Sequence, residues 1–150
     1  MAIALDANVL LRLAQKQHPF YPVARRAVLK LNLKLKAEGE AVCYLPQNVV
    51  EFWSVLTRPA SARGGFGLTL AQADLKTRLI ERIFTLLPDT PDVYIEWRRL
   101  VVGVGVSGVQ VHDARIAACL RVHEVTRLLT FNTKDFTRYS GFAAVDPAQV

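Results

Sequence analysis

Apolar positions recur along this chain in two rhythms. Short apolar runs of strand length stand at Ile3 to Leu5, "AVCYL" before Pro46, "TLLP", "RLLTF" and "AAVDP". Between them the spacing turns helical. Val9, Leu10, Leu13 and Ala14 predict a first helix, which "HPFYP" breaks. A second is predicted from about Val23 to Glu38, with Ala24, Ala27, Val28, Leu31 and Leu35 on one face and Gly39 as its stop. "QNVVEFWSVLTR" predicts a third, ending before Pro59, and "PASARGGFGL" reads as loop. Thr69 and Gln72 make a capping box for the next helix, which runs to about Phe84. Thr90 is then a cap and Pro91 the first helical residue of "DVYIEWRRLVV". "HDARIAACLRVH" reads as helix, and "NTKDF" begins a short one. Alternation of this kind predicts an α/β domain over residues 1–150 with a mostly parallel sheet and helices on both faces.

Composition narrows the class. A chain of 150 residues that is 51% hydrophobic can bury a proper core. No apolar run reaches the ~20 residues a membrane helix needs, and neither a basic lead-in nor a small-residue cleavage site marks a signal peptide. Cys43 and Cys119 lie far apart in apolar surroundings, which predicts buried free thiols in a reducing cytoplasm. The net charge of +6 points to a polyanion, nucleic acid before membrane.

Asp6 is the anomaly, a carboxylate inside the apolar run "IALDANVLL". Burying it costs several kcal/mol or so unless a cap, a cation or a metal compensates. In an open parallel sheet, ligands bind beyond the carboxyl ends of the strands. Asp6 ends the first strand, and Asn132 and Asp135 follow "RLLTF". Glu51 lies one turn into the helix after "CYLP", and Asp113 opens another. Each has a plain alternative: Asp6 and Asn132 as caps, Glu51 as a solvated helix residue, Asp113 as a partner of the helix dipole. If the four acids converge, a set of hard oxygen donors without His or Cys suits Mg²⁺ or Mn²⁺ rather than zinc. Nine acids then remain against nineteen Lys and Arg, an acidic centre in a basic surround. That arrangement fits metal-assisted cleavage of a phosphodiester.

Four segments in this order, "LDANVLL", "VVEFWSVLTRP", "VHDARIAA" and "LLTFNTKDF", resemble the PIN-domain family, and within it the VapC-type toxins of bacterial toxin–antitoxin pairs. The resemblance runs nearly the length of the chain. It implies a three-layer α/β/α fold and a Mg²⁺- or Mn²⁺-dependent endoribonuclease preferring single strands and leaving 5′-phosphate and 3′-hydroxyl ends. Asp6, Glu51 and Asp113 match family acids. The fourth position departs: where many relatives have T-x-D, this chain has Asn132, with Asp135 three residues on. Asn8 and Asn132 are expected to support the acids, and Arg115 and Lys134 are candidate phosphate contacts. The resemblance also implies homodimers and a cognate antitoxin. Leu29 and Leu33, off the core face of the second predicted helix and beside Arg26, Lys30 and Lys34, are the expected partner surface.

Competing readings remain open from residues alone. A non-catalytic RNA-binding module shares the basic surface but has no need of four acids, and an RNA-processing nuclease outside a toxin pair would share the site. "LDAN" admits an aspartyl nucleophile, although Asn8 stands where a second acid is common. Gly103 to Gly108 fits G-x-G-x-x-G, a dinucleotide signature only between a strand and a helix, and here a helix is expected to precede it. His18, His112 and His123 lack ligand spacing, and Trp53 and Trp97 are expected in the core.

Overall fold

In the computed structural model, which describes residues 2–150, five short strands and six helices alternate. Met1, the first residue of the expected domain, lies outside the described residues. The strands are β1 (Ile3–Leu5), β2 (Val42–Tyr44), β3 (Thr85–Leu86), β4 (Arg127–Leu129) and β5 (Ala143–Val145). The helices are α1 (Ala7–Leu13), α2 (Tyr21–Ala37), α3 (Pro46–Thr57), α4 (Leu70–Ile83), α5 (Pro91–Val104) and α6 (Val111–Val122). Every strand pairing is parallel, in the order β3-β2-β1-β4-β5.

Period-two side-chain alternation sends each strand's residues to two separate cores. Ile3, Leu5, Val42, Tyr44 and Leu129 face a core shared with α1, α2, α3 and α4. Ala4, Cys43 and Leu128 face the other, filled by α5 and α6. This is the three-layer α/β/α arrangement expected of the sequence.

Local signals explain most boundaries. The five small and branched residues predicted for one face of α2 are the five that are buried. Tyr21, not Val23, begins that helix, because Pro22 at the second position is compatible with a first turn. Gly39 follows it at φ 73°, a left-handed geometry that a side chain resists. The capping box at α4 is formed in both directions, Gln72 N–H to Thr69 Oγ1 at 3.2 Å and Thr69 N–H to Gln72 Oε1 at 2.9 Å. Thr90 does not cap α5 through its side chain as predicted; its hydroxyl is buried and unpartnered, and Pro91 alone defines the start. Both cysteines are buried free thiols, and burial pushes the Cys119 pKa up to about 12.

Gly103 to Gly108 is no phosphate-binding loop. Gly103 lies inside α5, and Gly105 ends that helix at φ 77°. A helix terminus thus takes the place of the strand that the dinucleotide motif requires. No helix among the described residues is long and apolar enough to cross a membrane.

Candidate active site

The chain builds β1, β2 and β3 outward in one direction, then returns to place β4 and β5 on the other side of β1. The reversal lies between β1 and β4, the place where open α/β sheets generally bind ligands, beyond the carboxyl ends of the strands. The Asp6 N–H donates to the Leu129 carbonyl at 3.0 Å, which fastens the end of β1 to the end of β4. Asp6 is buried, 7% exposed.

The Asp6 carboxylate is held on three sides. Oδ1 accepts from the Ala7 N–H at 2.8 Å, and Oδ2 accepts from the Thr130 hydroxyl at 2.7 Å and from Asn8 Nδ2 at 3.2 Å. Asp6 is therefore the cap of α1, one of the readings its sequence position offered. Thr130 in turn accepts from Asn8 Nδ2 and from the Asn132 N–H, both at 3.0 Å. Asn8 also accepts from the Phe131 N–H at 3.2 Å. Asn132 is the residue just before the short 3-10 helix Thr133–Phe136, and its side chain makes no cap bond there.

Glu51 projects from α3, Asp113 from the first turn of α6, and Asp135 from that 3-10 helix. Burial raises the pKa of Asp6 above the usual carboxylate range, with the charge of Asp135 adding to it, against the hydrogen bonds from Thr130 and Ala7. Desolvation raises Glu51 too, followed by the charges of Asp6 and Asp113; His112 opposes them. Glu51 is exposed on the rim, so solvent screens part of this. Asp113, half-buried, is raised by desolvation, then by Asp135 and Asp6, against His112 and Arg138. Asp6, Glu51 and Asp113 are thus each raised in part by the charge of acids from segments remote in sequence.

Among the described residues no three His, Cys, Asp or Glu side chains close around a point as a ready cage. Four carboxylates that repel one another have no cause to close without a cation. Mg²⁺ retains several of its waters and needs only one or two direct carboxylates, so an all-oxygen donor set of this kind fits it.

A cleft of about 420 Å³ lies beside the acids, lined by Gln47, Glu51, Ser54, Val109, His112 and Asp113. Gln47 Nε2 donates to the His112 carbonyl at 2.8 Å and ties the start of α3 to the start of α6. Arg115, expected at a phosphate, is engaged elsewhere: it pairs with Asp89 at 2.9 Å and donates to Gln47 Oε1 at 3.4 Å. Lys134 is exposed beside Asp135. Trp53 and Trp97 pack against the two cores, as expected, and Trp97 Nε1 donates to the Val111 carbonyl at 2.9 Å. Thr130 and Arg138 were not among the residues expected here; Thr130 begins the segment that matches T-x-D, but its bond to Asp6 exists only once β1 and β4 are adjacent.

A model of the PIN domain matches residues 3–141. The chain belongs to the PIN domain family. Curated proteins offer no significant sequence match. Among solved structures, this PIN domain is similar to VapBC2 from Rickettsia felis bound to a fragment of its promoter DNA, with 16% identity, TM-score 0.68 and coverage of 97% of this chain and 98% of that one. It is also similar to VapBC-1 from nontypeable Haemophilus influenzae, at 17% identity and TM-score 0.66 over 98% of both chains. A third is VapC20 of Mycobacterium tuberculosis, a toxin that cleaves the sarcin–ricin loop, at 16% identity and TM-score 0.54 over 84% of this chain and 86% of that one. At such identities the likeness is one of fold.

A second feature lies on the opposite core. A groove of about 270 Å³ runs between α1, α2, α3 and α4, with Leu13, Val28, Leu29, Leu79 and Ile83 in its walls and Lys76 beside them. Leu29 is 45% exposed within it. Leu33 is 72% exposed and lies outside its lining, so the predicted leucine pair is divided.

Proposed function

We propose that this PIN domain is a divalent-metal-dependent endoribonuclease acting as the toxin of a toxin–antitoxin pair. The carrying observation is that the buried, hydrogen-bonded Asp6 at the end of β1 lies within electrostatic reach of Glu51, Asp113 and Asp135, three acids from segments remote in sequence. A module that only bound RNA would place no anionic cluster at its centre, since it would repel the phosphates.

Asp6 and Asp113 would hold Mg²⁺ or Mn²⁺, with Glu51 and Asp135 completing the set. Once bound, the ion would neutralise the carboxylates, acidify the attacking water and stabilise the departing 3′-oxygen. Thr130 and the Ala7 N–H fix the Asp6 carboxylate. Asn132, bound through its backbone to Thr130, leaves its amide side chain free to orient water. Arg138 places positive charge near Asp113, where a phosphate would arrive.

The test is cleavage of an unstructured and a structured RNA by purified protein in Mg²⁺, Mn²⁺ or EDTA. Cleavage in either metal and none in EDTA is expected, with loss in Asp6→Ala and Asp113→Ala. Metal-dependent cleavage retained by either variant would overturn the assignment.

The toxin part rests on the similarity to VapBC complexes and on the groove. An amphipathic antitoxin segment would lay its apolar face there, with an acidic flank toward Arg25 and Lys76. Leu29→Glu should break binding to a cognate antitoxin; unchanged binding would remove the groove from the account. A homodimer is the further expectation, for which α5 offers exposed Tyr94, Ile95 and Val102.

A further inference from the structure

We propose that Phe20, stacked on Phe131 one residue beyond Thr130, is a platform for one unpaired base of the single-stranded RNA substrate. This deepens the nuclease reading and rests on it. Phe20 lies in the turn between α1 and α2 and is 49% exposed. Its ring lies 5.1 Å from that of Phe131, with 18° between the planes. The rings of His18 and Phe20 make a T-shaped pair, with centroids 5.4 Å apart and 61° between their planes.

The position is costly for a phenylalanine. Phe20 is the residue capping α2, where Ser, Thr, Asp or Asn would satisfy a backbone N–H, and it makes no side-chain cap bond. It also joins neither hydrophobic core. A large aromatic that neither caps nor packs inside is a local conflict of the kind functional sites carry.

The platform is fastened to the site. Phe131 directly follows Thr130, whose hydroxyl bonds Asp6 at 2.7 Å. The Phe131 N–H bonds Asn8, which also contacts Asp6. Phe131 thus joins Phe20 to the segment that holds Asp6, and a base on Phe20 would belong to a nucleotide flanking the scissile one. The Phe20 N–H donates to His18 Nδ1 at 3.0 Å, which leaves Nε2 of the neutral ring to carry the proton and donate outward. Arg12 lies near enough for its charge to act on His18. Aromatic faces beside a cation are the general means of holding single strands without base pairing.

The experiment uses an oligouridylate RNA carrying one 2-aminopurine, titrated in EDTA so that no cleavage occurs. Wild type should quench the 2-aminopurine by stacking. Phe20→Leu, which keeps apolar cover over Phe131 but removes the π face, should abolish the quench and weaken binding about five-fold to a hundred-fold. Phe20→Trp should restore both. In Mg²⁺, Phe20→Leu should raise KM more than it lowers kcat. Binding within two-fold of wild type with the quench intact would overturn the platform and leave the nuclease standing. A Phe20-dependent quench in a wild-type protein that cleaves no RNA in either metal would instead overturn the nuclease reading. Should Phe20→Leu fail to fold, photo-crosslinking of 4-thiouridine RNA to wild type decides. Attachment to the segment between Arg12 and Arg25 supports the platform, and attachment only elsewhere refutes it.

Discussion

Thr130→Val isolates what the buried hydroxyl does for Asp6. Valine keeps the shape, so little cavity or strain arises, but the 2.7 Å bond to Asp6 and the two bonds that Thr130 accepts are lost. A hydrogen bond to a charged group contributes about 1.5–3 kcal/mol. The Asn132 N–H is only part-buried, and Asn8 keeps its contact with Asp6, so these add at most about 1 kcal/mol. The variant should therefore be less stable by about 2–4 kcal/mol at neutral pH. The pH dependence carries the sign. Asp6 already has a raised pKa, and the Thr130 bond is the largest influence lowering it. Removing that bond raises it further, so the deficit is full above both folded-state values and shrinks as pH falls through them. Urea unfolding in EDTA, followed by fluorescence of Trp53 and Trp97, measures this at pH 7.5 and at stepwise lower pH. A loss below about 0.5 kcal/mol, or one that does not change with pH, would refute the assignment of Thr130 as the partner of an ionised Asp6.

Other predictions follow from the same geometry. In EDTA, stability should rise as pH falls from neutral toward the ordinary carboxylate range, because Asp6, Glu51 and Asp113 bind protons more tightly folded than unfolded; a flat profile by urea titration would contradict it. Mg²⁺ at a hundred times its Kd should stabilise by about 2.7 kcal/mol, or roughly 5–11 °C in Tm for a domain of this size, and Asp113→Asn should blunt the shift. Gly65→Ala should cost about 1–3 kcal/mol, because the added Cβ would lie 2.4 Å from the Pro59 carbonyl oxygen and 2.5 Å from that of Arg58, neither of which can easily move. Leu128→Ala, at a fully buried position on the α5–α6 side of the sheet, should cost about 2–5 kcal/mol by thermal or urea unfolding.

Much of the layout is readable in the chain because it is local. The buried face of α2 follows from apolar spacing, and the start of α4 from a Thr and a Gln three residues apart. Where a local rule misled, a tertiary contact took precedence. Thr90 has the residue type of a cap, yet its hydroxyl is turned into the interior without a partner. Arg115 stands two residues from Asp113, as a phosphate contact would, but Asp89 and Gln47 take its guanidinium. Spacing along one helix says nothing of what lies on the neighbouring loop.

The order of residues by itself determined the alternation of strand and helix, the faces turned inward, and the oddity of a carboxylate in the apolar run at Asp6. These are set by side-chain period and capping within a few residues. Only the tertiary structure decided that β1 lies between β2 and β4, and so that Asp6 meets Thr130 across 124 positions. Strand neighbours are chosen by the packing of two helical layers on a sheet, a global balance that no local pattern encodes. The gathering of Glu51, Asp113 and Asp135 toward Asp6, the division of Leu29 from Leu33, and the Phe20–Phe131 stack all follow from that choice.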